Sequence, residues 1–239
     1  MIGIIGAMSQ EINDVIQLME NVSVDKHAGL KFYRGILSGK EIVLTCSGVG
    51  KVNAAISAEA MVAYYNAEVL INTGVAGSLD ASVNIGDIVI STDAVEYDMD
   101  VTALGYKRAV IPDMNPLFTE NSDRITIFKA DEKIRTIAVE CCKNVNDDIA
   151  VFEGRVASGD AFIFGKNLKD KIVEITHAFC VEMEGASIAH TAALNEVPFL
   201  IIRAISDKAD DSATIDYPSF QIKAIEHTVK LVAALVSRL

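Results

Sequence analysis

Ile2-Gly3-Ile4-Ile5-Gly6 is an unbroken apolar run, and Ser9 to Glu20 follows it with Ile12, Val15, Ile16 and Met19 at helical spacing. An apolar run without alternation reads as a strand covered on both faces, and the amphipathic segment behind it reads as a covering helix. The unit recurs along the chain. Val69 to Asn72 is a strand entering a Gly74 to Gly77 turn, Gly86 to Ile90 and Ile149 to Ala157 are strands, and Pro198 to Ile202 is a strand in the sheet's interior. Val52 to Tyr65, Ala130 to Lys143, Asn167 to Thr176, Glu184 to Leu194 and Pro218 to Leu239 read as helices. Phe32 to Leu37 and Glu41 to Cys46, joined by Ser38-Gly39-Lys40, form a hairpin. Strands alternating with helices define the α/β class.

At 239 residues with 51% apolar and 23% charged residues, the chain fits one large ordered domain over residues 1–239. The excess of 33 acidic over 21 basic residues, a net charge of -12, makes nucleic acid and anionic membrane surfaces poor partners. Uncharged stretches such as Val69 to Leu79 fall short of the roughly 18 apolar residues that span a bilayer. The N-terminus has no basic start and meets Glu11 and Asp14 too early for a secretory signal, so a cytoplasmic location is expected. Cys46, Cys141, Cys142 and Cys180 lack zinc-site spacing and read as reduced thiols. His27, His177, His190 and His227 fit no catalytic triad. The segment Asp98 to Asp131, with Pro112 and Pro116, has weak periodicity and reads as a functional or interacting loop.

Two nucleotide motifs fail on inspection. Gly3 and Gly6 leave a G-x-x-G, short of the dinucleotide fingerprint. Ser47-Gly48-Val49-Gly50-Lys51 looks like a phosphate loop, but Val52 stands where Ser or Thr would hold magnesium, and the upstream glycine is missing.

Strand ends are more informative, because open α/β sheets bind ligands outside the carboxyl ends of their strands. Arg203-Ala204-Ile205-Ser206-Asp207 closes an apolar strand, where a charge needs a partner or a substrate; Arg203 and Asp207 could also pair with each other. Glu182-Met183-Glu184 follows Ala178 to Val181 at a helix start, and Glu11 lies in the first turns behind the first strand. Each acid alone could simply complement a helix dipole. Together, Glu11, Glu184 and Asp207 put carboxylates on three strand ends, as glycosidic bond cleavage requires. Ser158-Gly159-Asp160-Ala161-Phe162-Ile163 supplies an aromatic that is either core or a stacking surface for a base. Asp207, Asp210, Asp211 and Asp216 could be read as a metal site, but a solvated acidic loop fits them better.

With these strings in place, the chain resembles the methylthioadenosine/S-adenosylhomocysteine nucleosidases of the nucleoside phosphorylase superfamily. The resemblance rests on Ile2 to Met8 with Glu11, Ser47 to Val52, Ile71 to Gly74, Gly86 to Val89, Asp100 to Ala103, Ser158 to Ile163, Val181 to Glu184 and Arg203 to Asp207, in family order. It implies a three-layer α/β domain whose mixed, largely parallel central sheet is flanked by helices. It also implies hydrolysis of the bond between adenine and a 5'-thio-substituted ribose, with 5'-deoxyadenosine a further candidate substrate, in methionine salvage and adenosylhomocysteine detoxification. No metal or organic cofactor is implied.

Carried over residue by residue, Asp207, supported by Ser206, would protonate adenine N7, and Glu11, assisted by Arg203, would activate water. Glu184 would hold the ribose hydroxyls, Met183 would pack on the sugar, Phe162 would stack on adenine, and the Ile163 backbone would bond its edge. Ala7, Met8, Val49, Val75, Gly77 and Tyr217 would complete the substrate pocket. The family also implies a homodimer, with the loop from Leu104 through Tyr106 to Pro112 near the partner's active site. Val75 stands where some relatives carry a serine that helps bind the water, and Leu104 where some carry an aromatic near the thioalkyl tail. A phosphorolytic relative of the same fold is the nearest rival, and a non-catalytic nucleoside sensor the next. No arginine precedes Arg34 to receive phosphate, and Glu11 would repel it.

Overall fold

A computed structural model describes residues 1–112 and 124–239. The first apolar run forms β1 (Ile2–Gly6), buried throughout, and α1 (Ser9–Leu18) follows. The helix stops two residues earlier than its periodicity suggested, because Glu20 opens an edge strand, β2 (Glu20–His27). Sequence reading missed β2 because its alternating Val22 and Val24 are exposed and face no core. Two tight hairpins follow, through Ala28-Gly29 into β3 (Leu30–Leu37) and through Ser38-Gly39 into β4 (Lys40–Cys46). All four turn residues have positive φ, as the twist of a two-residue hairpin demands.

The chain continues through α2 (Lys51–Tyr65), β5 (Val69–Ser78), β6 (Ile88–Glu96) and the short β7 (Phe128–Lys129) to α3 (Glu132–Val145). It ends with β8 (Val151–Ser158), α4 (Lys166–Thr176), β9 (Cys180–Glu182), α5 (Gly185–Leu194), β10 (Phe199–Asp207) and α6 (Ala213–Arg238). The sheet runs β10-β6-β8-β9-β5-β1-β4-β3-β2, with β7 on β6, and a further β10–β5 pairing closes one half of the sheet on itself. The consecutive neighbours β4, β1, β5 and β10 are parallel, and antiparallel pairs at β2–β3–β4, β5–β9 and β10–β6 make the sheet mixed. Helices α2 and α5 pack together, α2 also on β1, whereas α6 lies along β10 and β5 beside α1 and α3, giving the three layers.

Two elements correct the sequence reading. Gly74 to Gly77 is not a turn: β5 runs on through it to Ser78, held by ladder pairs from Arg203 to Asp207 of β10. Likewise α6 begins a full turn ahead of Pro218, so the expected acidic turn is shorter and β10 extends to Asp207. Both strands therefore carry their buried backbone into the region where a ligand would sit. Of the segment Asp98 to Asp131, residues 113–123, including Pro116, lie outside the described residues; before them, a single 3-10 turn spans Thr102–Leu104. No helix among the described residues is long and apolar enough to cross a membrane.

Ile71 is fully buried at the centre of β5, flanked by Ile4 of β1 and Leu200 of β10. Truncation there leaves a cavity that the sheet cannot close, so Ile71→Ala should lower unfolding free energy by about 2–5 kcal/mol, read by urea denaturation.

Candidate functional site

A cavity of about 250 Å³ opens at the carboxyl ends of β1, β5, β9 and β10. Its walls include Ala7, Met8, Glu11, Val49, Val75, Gly77, Phe162, Met183, Glu184, Arg203, Ser206, Asp207 and Tyr217, together with Ala76, Val181 and Glu182. Ile163 is the one site residue named from sequence that lies outside this wall. It lines an adjoining recess of about 40 Å³ shared with Phe162, Met183 and Asp207.

Arg203 is the centre of the site's electrostatics, 1% exposed near the end of β10. Its Nη2 donates to Glu182 Oε2 and to Asn72 Oδ1 and lies 3.6 Å from Glu184 Oε2, while Nη1 donates to the Val75 carbonyl at 3.1 Å. The pairing of Arg203 with Asp207 that the sequence allowed does not occur. The strand bulges between Ile205 and Asp207 and turns the Asp207 carboxyl away from the guanidinium. Glu182 was legible as a carboxylate but not as this partner. It also accepts backbone N–H bonds from Glu184 at 3.0 Å and Gly185 at 2.8 Å and the Ser158 hydroxyl, so it holds the start of α5 as well.

Glu11 is held by three backbone donors. Its Oε2 accepts from Ala7 at 2.7 Å and Met8 at 2.9 Å, satisfying free N–H groups at the start of α1, and Oε1 accepts from the Val75 N–H at 3.2 Å. Burial pushes its carboxyl above the usual range, against the pull of Arg203 and those donors. Val75 contributes through its main chain: the N–H to Glu11 and the carbonyl to Arg203 tie the acid and the arginine together whatever the side chain.

Glu184 accepts from the Gly50 N–H at 2.9 Å. Burial and the adjacent Glu182 raise its carboxyl to about 7, with Arg203 opposing. Asp207 is also raised, first by burial; the Ala209 N–H at 2.8 Å and the Ser206 hydroxyl at 2.9 Å favour its ionised form, and Asp216 and Asp210 oppose it. Asp210 and Asp216 themselves bond Ser212, so the acidic run divides between the cavity and its own turn.

The cavity's mouth is apolar. The Phe162 ring stands edge-on to Tyr217 at 5.7 Å and is 44% exposed, so it is not a core residue. The Tyr217 hydroxyl reaches Met8 Sδ at 3.3 Å, and Val49 is exposed on the facing loop. Leu104, Tyr106 and Pro112 do not line this cavity; Leu104 is 76% exposed and Tyr106 and Pro112 are half-buried.

The match to known proteins is extensive. The model of the phosphorylase superfamily matches residues 1–237. A 5'-methylthioadenosine/S-adenosylhomocysteine nucleosidase of Staphylococcus aureus (strain bovine RF122 / ET3-1) is 39% identical over 240 residues, covering all of both chains. The structure of the corresponding nucleosidase from Neisseria meningitidis, in complex with methylthio-immucillin-A, superposes with a TM-score of 0.91 at 36% identity, covering 100% of this chain and 99% of that one. Futalosine hydrolase of Helicobacter pylori strain 26695 has the same TM-score of 0.91 at 30% identity, over 100% and 97% of the two chains.

A Cβ at Gly74 would collide with the Glu11 carboxyl and lie 2.7 Å from Arg203 Nη1. Gly74→Ala should therefore displace the Glu11 carboxyl from the Val75 N–H and lower kcat/KM at least about 100-fold. The far-ultraviolet circular dichroism should stay native.

Proposed function

The chain belongs to the phosphorylase superfamily and, within it, to the 5'-methylthioadenosine/S-adenosylhomocysteine nucleosidases, and we propose that it hydrolyses the N-glycosidic bond of both nucleosides to free adenine. The observation that carries this reading is the convergence of three carboxyls, Glu11, Glu184 and Asp207, on one cavity at the strand ends. Glu11 approaches β5 at Gly74 and Asp207 approaches it at Gly77. A base, a sugar ligand and an acid around one cavity are what cleavage of a glycosidic bond needs.

In the reaction, Asp207 gives its proton to adenine N7 as the C1′–N9 bond breaks, so adenine leaves neutral. Glu11 takes a proton from the water whose oxygen attacks C1′. Burial raises both carboxyls, which favours a protonated acid at Asp207 and a stronger base at Glu11. The sugar acquires oxocarbenium character, and Glu184 both holds its hydroxyls and faces the developing positive charge. Met183 packs on the sugar, Phe162 and the Ile163 backbone hold adenine, and Ala7, Met8, Val49, Val75, Gly77 and Tyr217 shape the remainder of the pocket. Residues 1–239 act as one nucleosidase domain, a reading supported by the single sheet around which the described elements pack and by cavity walls drawn from both ends of the chain, from Ala7 to Tyr217. In the homodimer we infer, the Leu104 to Pro112 loop, with Tyr106, meets the thioalkyl tail in the partner's cavity. Four free thiols accord with a cytoplasmic location.

Water is favoured over phosphate by charge. Glu11, Glu182 and Glu184 line a cavity whose arginine is already paired with Glu182. A phosphate dianion would meet more repulsion than attraction. Adenine release from methylthioadenosine should proceed at the same rate with and without phosphate; strict phosphate dependence with a ribose-1-phosphate product would overturn the hydrolytic reading. The full-length futalosine hydrolase match makes futalosine the control substrate, expected to turn over more slowly.

Asp207→Asn keeps the size of the side chain and removes the proton. Turnover should fall by about 100- to 10,000-fold, while the affinity for methylthioadenosine, followed by calorimetry, remains measurable. Near-normal turnover would refute the acid assignment.

A further inference from the structure

The glycine loop that resembles a phosphate loop donates instead to a carboxylate of its own chain. Gly48 and Gly50 both have positive φ, and the Gly50 N–H points at Glu184 Oε1 at 2.9 Å. The next residue, Lys51, opens α2 and is bound at both ends. Its backbone N–H donates to Asp160 Oδ1 at 2.8 Å, and its Nζ lies 2.6 Å from Asp98 Oδ1 and 3.2 Å from Glu96 Oε2. Asp98 Oδ2 in turn accepts the Asp160 N–H at 2.9 Å, and Glu96 Oε1 meets His190 Nδ1 at 3.0 Å. The clasp thus gathers the start of α2, the end of β6 and the turn after β8. The first of these reaches Glu184 through the Gly50 N–H.

We propose that Lys51 is a positioning residue for the nucleosidase reaction: through the Lys51–Asp98–Asp160 clasp it holds the Gly50 N–H on Glu184 and so orients the carboxylate that receives the ribose. The proposal rests on the assignment of Glu184 to the ribose. Its physical basis is the placement of the groups. The hydrogen bond that the clasp directs at the cavity is that of Gly50 to Glu184, and none of its bonds runs to Asp207 or Phe162, so its effect falls on the sugar half of the substrate. The lysine has no spare role toward an anion, because two carboxylates already take its charge.

The test compares a ligand that contains the ribose with one that lacks it. In Lys51→Met, KM for methylthioadenosine should rise about tenfold or more, the scale of a lost hydrogen bond to a charged group. The dissociation constant of adenine alone should stay within about twofold, because adenine does not reach Glu184. Lys51→Arg, which keeps the charge, should recover most of the loss. Asp160→Ala, at an exposed position, should reproduce the Lys51→Met pattern and supplies the test should the half-buried Lys51 substitution fail to fold. Equal weakening of both ligands in the folded variants, or no change in either, overturns the proposal. Glu184→Ala separates the two levels. If it raises KM but Lys51→Met and Asp160→Ala do not, the clasp is refuted and the ribose assignment stands; if it leaves KM unchanged, that assignment itself fails and the proposal with it.

Discussion

Arg203 carries a permanent charge inside a sheet, and the site is arranged around what that charge requires. Moving a guanidinium out of water costs several kcal/mol unless partners surround it. Here Glu182, Asn72 and the Val75 carbonyl surround it, with Glu184 next to them. Glu182 can serve because the start of α5 and Ser158 hold it in place. Gly74 must lack a side chain because Glu11 and Arg203 converge above it. The arginine's needs thus set the identity of residues on β5, β8, β9 and β10.

That arrangement also divides the carboxylates. Glu182 is committed to the arginine, whereas Glu11, Glu184 and Asp207 line the cavity without a direct hydrogen bond to it. Their holders are mostly backbone N–H groups, from Ala7, Met8 and Val75 for Glu11, from Gly50 for Glu184 and from Ala209 for Asp207. Backbone donors cannot ionise or rotate away, so they orient a carboxylate while burial sets how strongly it binds a proton. Similar side chains in neighbouring positions thereby differ in what holds them, while burial raises the proton affinity of each.

Much of this was legible before folding. The apolar run at Ile2 to Gly6 and the period behind it specify a covered strand and its helix, and the acids at strand ends stand out because charge there needs a reason. The exposed β2 was hidden because its valines bury nothing, and the extension of β5 through Gly74 to Gly77 was hidden because glycines read as punctuation. Only the ladder with β10 makes them strand. Val75, where some relatives carry a serine, acts here through its backbone, which is invisible to a reading of side chains.

The sequence by itself determined the α/β class, the resemblance to the nucleosidases and the candidates Glu11, Glu184, Arg203 and Asp207, since periodicity and short motifs are local properties of the chain. Tertiary structure alone decided that Arg203 pairs with Glu182 and not with Asp207, and that Lys51 is consumed by Glu96 and Asp98 instead of facing an anion. Both outcomes depend on a strand bulge and on strand order. Those bring together groups from distant parts of the chain, and burial then makes each pairing obligatory because an unpaired charge there has no water to turn to.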